Sequence, residues 1–479
     1  MAGLRALSRK PGLTPSSRRQ LVEIGTIGMT ARPNIACPTV NIAKDGWLLP
    51  GCDTGIATVL WGPMQTNAIL AAIAVFAAAQ FVRPVPVFAE DALAPLADAT
   101  PRGTTWHPGS EGIMLPAGPF FTKGNQIVDR SGNPVRIASV GFYFYSGSHD
   151  LIMAKVAAAG FNCVRLSWFD YSLTNDLADI DRMVAAATRH GVKVIIDHHG
   201  TNRAARNGGN NPNGLWYDLG GASDNTDGGG NAGVATDAQF LANWVKVAQR
   251  YAGNSTVIGF DLDNEPSGYG ICTWEAGSDN PAHNIRWMYE RVGKAIQAVN
   301  RDALIICEGV FDYHTNFVGT GPSPGGDLSL AASLPVVLAV PNKVVYSAHW
   351  YPSESAQYDF KTGTLQSIKY MNNAWGYLVT QDIAPVWIGE WGASLDGSNG
   401  NLAGDQAWAK QITAYMNGRL GAQGGPTFSG RQQGMSGSWW TWGYTGNEQP
   451  HGTLNADGSL NAARKAVWSQ TLFTTPPSR

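Results

Sequence analysis

The 479-residue sequence has no surplus of positive charge: Lys+Arg 34 stand against Asp+Glu 36, a formal net charge of -2. Without a basic excess there is little to displace phosphate counterions, which argues against a nucleic-acid partner. Cysteine is scarce. The five cysteines form no CxxC pair, which removes zinc ribbons and thioredoxin-like redox motifs. Cys163 in FNCVRL and Cys307 in LIICEG lie in apolar runs and read as small buried hydrophobes. No HxH or HExxH cluster marks a metal site, so neither metal nor cofactor is expected. Charged residues make up only 15%, whereas the hydrophobic fraction of 44% is ample for a large core.

Apolar runs of membrane-spanning length are missing too. AILAAIAVFAAA, Ala68 to Ala79, is short for a span and suits the apolar stretch of a secretory signal. Val87-Phe88-Ala89 and Ala92-Leu93-Ala94 both fit a small-x-small cleavage site. Met64 opens this stretch, so residues 64–94 read as a signal region and 1–63 as a leader or an over-extended reading frame. A signal anchor is the rival reading, because Met64 to Asn67 carry no positive charge. A secreted or periplasmic protein without stable membrane insertion is the expectation. Residues 95–118, rich in Ala, Pro, Thr and Gly, read as a linker. Residues 119–473 form the domain, and 474–479 a tail.

What the domain contains is alternation. A hairpin around Ser131-Gly132-Asn133 leads into a first strand, RIASV. Helix-like LIMAKVAAAG then precedes FNCVRLSW, and LADIDRMVAAATRHG precedes VKVIIDHH. AQFLANWVKVAQRYAG precedes STVIGFDLDNEP, and NIRWMYERVGKAIQAVN precedes ALIICEGV. KVVYSAHWY, PVWIGEW and MSGSWWTW follow, with a last helix NAARKAVWSQTLF. Strands alternating with helices imply a parallel sheet with helical crossovers. Eight units fit a (β/α)8 TIM barrel, an α/β fold, here with enlarged βα loops such as the Gly/Asn-rich stretch 207–233. A doubly wound open sheet is the alternative, although no GxGxxG follows an early strand.

Barrel chemistry sits at the C-terminal ends of strands. Polar residues recur there: Arg165, Asp197, His198, His199, Asn264, Glu265, Glu308, His349, Tyr351 and Glu390, with Trp440 and Trp442 closing the last strand, SGSWWTW. Alternate strand residues share a face. His349 and Tyr351 therefore point together, and His198 and His199 point apart. Asp261, Asp263 and Glu265 are expected on one face, with Asn264 alternating unless the strand already turns. Glu265 is then the last strand residue at the mouth, and Asp261 and Asp263 are deeper structural carboxylates. Arg165 is the obvious partner for a buried carboxylate. Two glutamates ending different strands suit sugar hydrolysis, which needs carboxyl groups on both sides of the glycosidic bond. Aromatic rings suit the faces of sugars.

At these residues the sequence resembles the glycoside hydrolase family 5 cellulases. The motifs are Asn264-Glu265-Pro266, Gly389-Glu390-Trp391-Gly392, Arg165 in VRLSW, Asp197-His198-His199, His349-Trp350-Tyr351 and Trp440 in WWTW, in family order over residues 119–473. RYAGNSTVIGFDLDNEP, VPNKVVYSAHWY and WGYLVTQDIAPVWIGEWG look like the family's secreted bacterial endo-β-1,4-glucanases. The resemblance implies a monomeric, retaining enzyme acting on a β-glucan polysaccharide. Glu390 would be the nucleophile, held by Arg165 and Tyr351, and Glu265 the acid/base. Asn264 would bind the sugar 2-hydroxyl, His199 and His349 would line the same subsite, and Trp440 would be its floor. Two stretches depart from the family pattern. Gly141-Phe142 stands where relatives carry Asn-Trp, leaving Phe142 as a weaker stacking residue with Tyr143 and Tyr145 nearby. FDYHTNFVG replaces a paired-tryptophan loop. Other readings are a mannanase or xyloglucanase, a carbohydrate-binding barrel that no longer hydrolyses, and a metal-dependent hydrolase using Asp197, His199 and His349.

Overall fold

The computed structural model describes residues 41–44, 58–61, 112–143, 145, 147–201, 214–218, 235–266, 271–275, 282–310, 326–352, 365–443 and 451–474. The expected signal region, nearly all of 1–63, most of the 207–233 loop and FDYHTNFVG lie outside them. The chain divides into two units, Met1–Val87 and Phe88–Arg479. In the first, Asn41–Lys44 pairs in parallel with Thr58–Trp61. No described helix is long and apolar enough to cross a membrane.

The second unit is a closed barrel of eight parallel strands. They are β1 (Ala138–Phe142), β2 (Cys163–Trp168), β3 (Lys193–His198), β4 (Val257–Asp261), β5 (Leu304–Glu308), β6 (Val344–Trp350), β7 (Val386–Trp391) and β8 (Gly437–Trp439). Every residue of β1, β2, β4, β5, β7 and β8 is buried. Strands covered on both faces need apolar residues on both, which explains the near-continuous runs. Within β2, Val164, Leu166 and Trp168 pack outward among the helices, while Cys163 joins the inner core. The open-sheet alternative is overturned, because β8 pairs back onto β1 through Gly437, Ser438 and Trp439.

Three of the crossover helices are amphipathic. In α2 (Leu173–His190), after α1 (His149–Ala158), the buried residues include Leu173, Leu177, Ile180, Val184 and Ala187, one stripe at helical spacing. It ends at Gly191, whose φ of 72° lies in the left-handed region. Thr236 caps α3 (Asp237–Arg250) and Asn284 caps α4 (Ile285–Val299), each side chain accepting a first-turn N–H. Helix α5 (Leu365–Met371) precedes β7, α6 (Leu402–Met416) precedes β8, and α7 (Ala462–Trp468) follows it.

The hairpin is present as a small antiparallel sheet of Phe121–Lys123, Gln126–Val128 and Pro134–Val135. The Asp129 carboxylate accepts the N–H groups of Ser131 and Asn133 and so closes its turn. The barrel floor extends further upstream than the expected boundary at residue 119. Ile113 donates to the Phe473 carbonyl at 2.9 Å, and Leu115 is buried with Phe120, Ile137 and Trp387. Residues 112–118 thus belong to the floor rather than to a linker.

Lys343, just before β6, is also buried there. Its ammonium donates to the carbonyls of Phe120 (2.6 Å) and Asp302 (2.8 Å) and lies 4.0 Å from the Phe121 ring centroid. Replacing Lys343 with Ala leaves two carbonyls without their donor. We expect a loss of about 2–4 kcal/mol, read by chemical denaturation, with the active end of the barrel unaffected.

Candidate active site

Arg165 reaches the C-terminal mouth from the inner face of β2 and is completely buried. Its guanidinium spans the barrel. Nε donates to Asp261 (2.8 Å), and Nη1 donates to Glu390 (2.7 Å). Nη2 donates to Asp197 (2.8 Å), Asn264 (2.9 Å) and Glu308 (3.2 Å). One cation therefore serves acceptors on β3, β4, β5 and β7. Burial alone would lower its pKa, but Asp197, Asp261, Glu390 and Glu308 raise it well above the ordinary value. Burial pushes Asp197 up, yet Arg165 and His199 outweigh this and hold it below the usual range.

The DLDNEP stretch departs from strand parity. β4 ends at Asp261, so the expected common face for Asp261, Asp263 and Glu265 does not hold. Asp261 points inward to Arg165. Asp263 instead meets His198 at 2.9 Å on the helix side of the wall. There the His198 ring packs on Phe240 and Trp168, and its other nitrogen meets Asp170 at 2.9 Å. The chain is already turning at Asn264, which puts that amide on Arg165. Glu265 follows at φ 50°, past the strand rather than closing it. Few side chains adopt that left-handed backbone, which costs of order 1–3 kcal/mol. Glu265 is held there by its own N–H, which donates to the Glu308 carboxylate at 2.8 Å. Its side chain meets His349 Nδ1 at 3.0 Å.

Glu390 owes its direction to a slip in β7. Ala348 pairs with Ile388, but His349 pairs with Glu390, so one residue, Gly389, is skipped. Without the slip, Glu390 would lie three residues beyond inward Trp387 and face the helices. With it, Glu390 faces Arg165 while Trp391 returns to the outer core. Gly389 leaves room for this: a Cβ there would sit 2.4 Å from Ser347 Oγ and 3.0 Å from His349 Nε2. The second Glu390 oxygen accepts from the Tyr351 hydroxyl at 2.7 Å. His349 Nδ1 is 3.8 Å from the same oxygen.

His199, not His198, joins the site. It lies 2.6 Å from Asp197, and its ring stacks on Trp440 with centroids 5.1 Å apart and planes 5° apart. Trp440 is partly exposed and forms the floor between His199 and Gly141. A Cβ on Gly141 would come within 2.4 Å of its ring, so the glycine makes space for that indole. Phe142 does not behave as a stacking residue. It is 2% exposed, on the helix-facing side of β1, packed against Trp442. The inward position belongs to Gly141, which pairs with Arg165, so Phe142 has to face outward. Tyr143, beyond the strand, packs edge-on against both His199 and Trp440.

The strand-end position of Glu308 carries no role in the sequence. It is fully buried at the centre of this network. The signal was parity: Glu308 shares the inner face with Leu304 and Ile306. Its Oε1 lies 3.1 Å from His349 Nε2. Burial, with Asp261 beside it, pushes Glu308 up to about 8. Burial lowers His349, but Glu308 and Glu390 raise it well above its ordinary value. Burial lowers His198 too, but Asp170 and Asp263 carry it to about 10. Among the described residues, Glu265, His349 and Glu390 have potential ligand atoms within 4.8 Å of one another. Asp197, His199 and His349 do not form such a group among those residues.

These shifts have one sign for stability. A folded pKa above the unfolded one means that folding takes up protons, and the stabilisation is lost as pH rises through the folded value. Glu308, His349 and His198 all fall in this class across the window from 6.5 to about 8. Unfolding free energy from denaturant titrations should therefore be lower at pH 8 than at pH 6.5. A rise over that interval would contradict the assignment.

Comparison with known proteins places the chain and its fold. An endoglucanase of Paenibacillus polymyxa is 30% identical over 333 residues, 62% of this chain and 77% of that protein. Endoglucanase G of Acetivibrio thermocellus is 30% identical over 371 residues, and the major extracellular endoglucanase of Xanthomonas campestris pv. campestris is 30% identical over 273. The matches span 63% and 51% of those two proteins. The fold matches the catalytic domain of the Xanthomonas enzyme with a TM-score of 0.57 at 23% identity, covering 74% of this chain and 99% of that one. It matches a Pyrococcus horikoshii endocellulase with a TM-score of 0.56 at 20% identity, covering 76% of this chain and all of that one. The family model for cellulase (glycosyl hydrolase family 5) matches residues 128–446, and the chain belongs to that family.

Proposed function

We propose that the protein is an endo-β-1,4-glucanase that cleaves internal bonds of cellulose or a related glucan by double displacement with retention. The observation that carries this reading is the closeness of two carboxyl groups: oxygens of Glu265 and Glu390 lie within 4.8 Å. Direct attack on the anomeric carbon suits carboxyl groups about 5–5.5 Å apart, whereas an inverting pair needs about 6.5–9.5 Å to admit a water. The relatives named endoglucanase supply the substrate class.

Glu390 is the nucleophile in this reading. Arg165 and Tyr351 each hold one of its oxygens, so its attack direction is fixed before substrate arrives. Glu265 first gives a proton to the departing glycosidic oxygen and then takes one from the water that releases the sugar. Asn264, anchored by Arg165, presents its amide beside that centre for the 2-hydroxyl. Trp440 carries the sugar ring on its exposed face, and His199, stacked on the opposite face, braces it. A location outside the cytoplasm belongs to the same proposal. Its support is the signal-like run at Ala68–Ala79 and an insoluble polymeric substrate.

The product anomer tests the mechanism. Proton NMR of cello-oligosaccharide hydrolysis should show the β-anomer first, and α first would overturn retention. The two carboxyl roles separate with Glu265→Gln. Its kcat/KM should fall by about 10²–10⁴-fold on cello-oligosaccharides and far less on an aryl glycoside whose leaving group needs no proton. Digestion of a panel of glucans, mannans and xyloglucan gives the substrate, with greater activity on mannan or xyloglucan counting against the glucanase reading.

A further inference from the structure

Glu308 is too deep to touch substrate, yet it contacts the parts that determine where the Glu265 carboxyl sits. Its Oε2 accepts the Glu265 backbone N–H at 2.8 Å, at the residue whose φ is 50°. Its Oε1 lies 3.1 Å from His349 Nε2, and the other nitrogen of that ring is 3.0 Å from Glu265 Oε1. The same oxygen accepts from Arg165 at 3.2 Å, which ties it to the cation holding Glu390. Its own backbone is fixed from the helix layer, where the buried Tyr289 hydroxyl donates to the Glu308 carbonyl at 3.0 Å. The inner face of β5 thus offers one carboxyl to both the main chain and, through an imidazole, the side chain of Glu265.

We propose that Glu308 is a positioning residue for glycosidic bond cleavage, setting the place of the Glu265 carboxyl through the Glu265 N–H and through His349. The inference rests on the reading of Glu265 as acid/base. It assigns Glu308 a specific part of the reaction, proton delivery to the leaving group, and leaves attack by Glu390 to Arg165 and Tyr351. An amide at 308 offers one acceptor in place of two. It cannot serve the Glu265 N–H, Arg165 and His349 together, so Glu265 loses either its backbone anchor or its imidazole partner.

The test compares Glu308→Gln with the unaltered enzyme on two substrates, a dinitrophenyl cellobioside and a phenyl cellobioside, using kcat/KM so that only the steps through the first bond cleavage count. The dinitrophenyl group leaves without a proton, and the phenyl group needs one. Displacing an acid should cost about 10–100-fold on the phenyl substrate and no more than about threefold on the dinitrophenyl one. Equal loss on both would mean a general disturbance of the site and would overturn the proposal, as would full activity on both. Glu265→Gln, run on the same pair, separates the two readings. If Glu265→Gln itself loses equally on both substrates, the acid/base assignment fails, and the role of Glu308 with it. If Glu265→Gln discriminates and Glu308→Gln does not, only the positioning role fails. Should the Gln chain not fold by thermal melting, Glu308→Asp carries the same comparison, because it keeps the carboxyl group but is too short to reach both partners.

Discussion

The site is organised around one buried guanidinium. A planar fork of five N–H donors has a fixed shape, and Arg165 uses it to collect acceptors from four other positions at the barrel mouth: Asp197, Asp261 with Asn264, Glu308 and Glu390. Taking so much charge out of water is costly, and such clusters are poor sources of stability. What the cluster provides is position. Each hydrogen bond to Arg165 restricts the carboxyl it meets, and every strand concerned is already fixed by its ladder to its neighbours. A lysine could neutralise one carboxylate there but could not present the planar fork that orders them all.

Charge counting around that cation explains the proton affinities. Four carboxyl groups touch Arg165, and a second cation, His349, lies among three glutamates. Two positive charges cannot offset every carboxylate at once, so where burial outweighs them a carboxyl binds its proton more tightly. Asp197, with both Arg165 and His199 against it, falls below the usual range, whereas burial takes Asp261 to about 6 and Glu308 to about 8.

How much of this was legible in the sequence depends on whether a residue lies inside a regular ladder. Where pairing is uninterrupted, parity and composition sufficed. The eight strands follow from their alternation with helical segments, and the opposite directions of His198 and His199 and the common direction of His349 and Tyr351 follow from period-two alternation. Phe142 shows that the same rule could have been applied further, since its register with β2 requires it to face the helices once Arg165 faces in. Glu308 was equally readable, at even spacing from Leu304 and Ile306. Glu390 was not, because its inward aim depends on the slip at Gly389, and a one-residue slip reverses every direction beyond it. Its place at a strand end singled out Glu390 in the sequence, and resemblance suggested its role, but neither gave its direction.

The acidic run at the end of β4 shows the same limit and why it matters. Its carboxylates do not share one face. Asp261 remains in the ladder and faces Arg165. Asp263 has crossed to the helix side, where it meets His198 in a buried chain that continues to Asp170 and to the Asn243 amide of α3 at 2.7 Å. Glu265 lies beyond both, on a left-handed turn. The segment is therefore tethered from the inside of the barrel wall by Arg165 and from the outside by His198, with Glu308 beneath. A turn of that conformation would relax if either side let go. Two opposed anchors are what allow a residue outside the regular strand to be held as firmly as one within it.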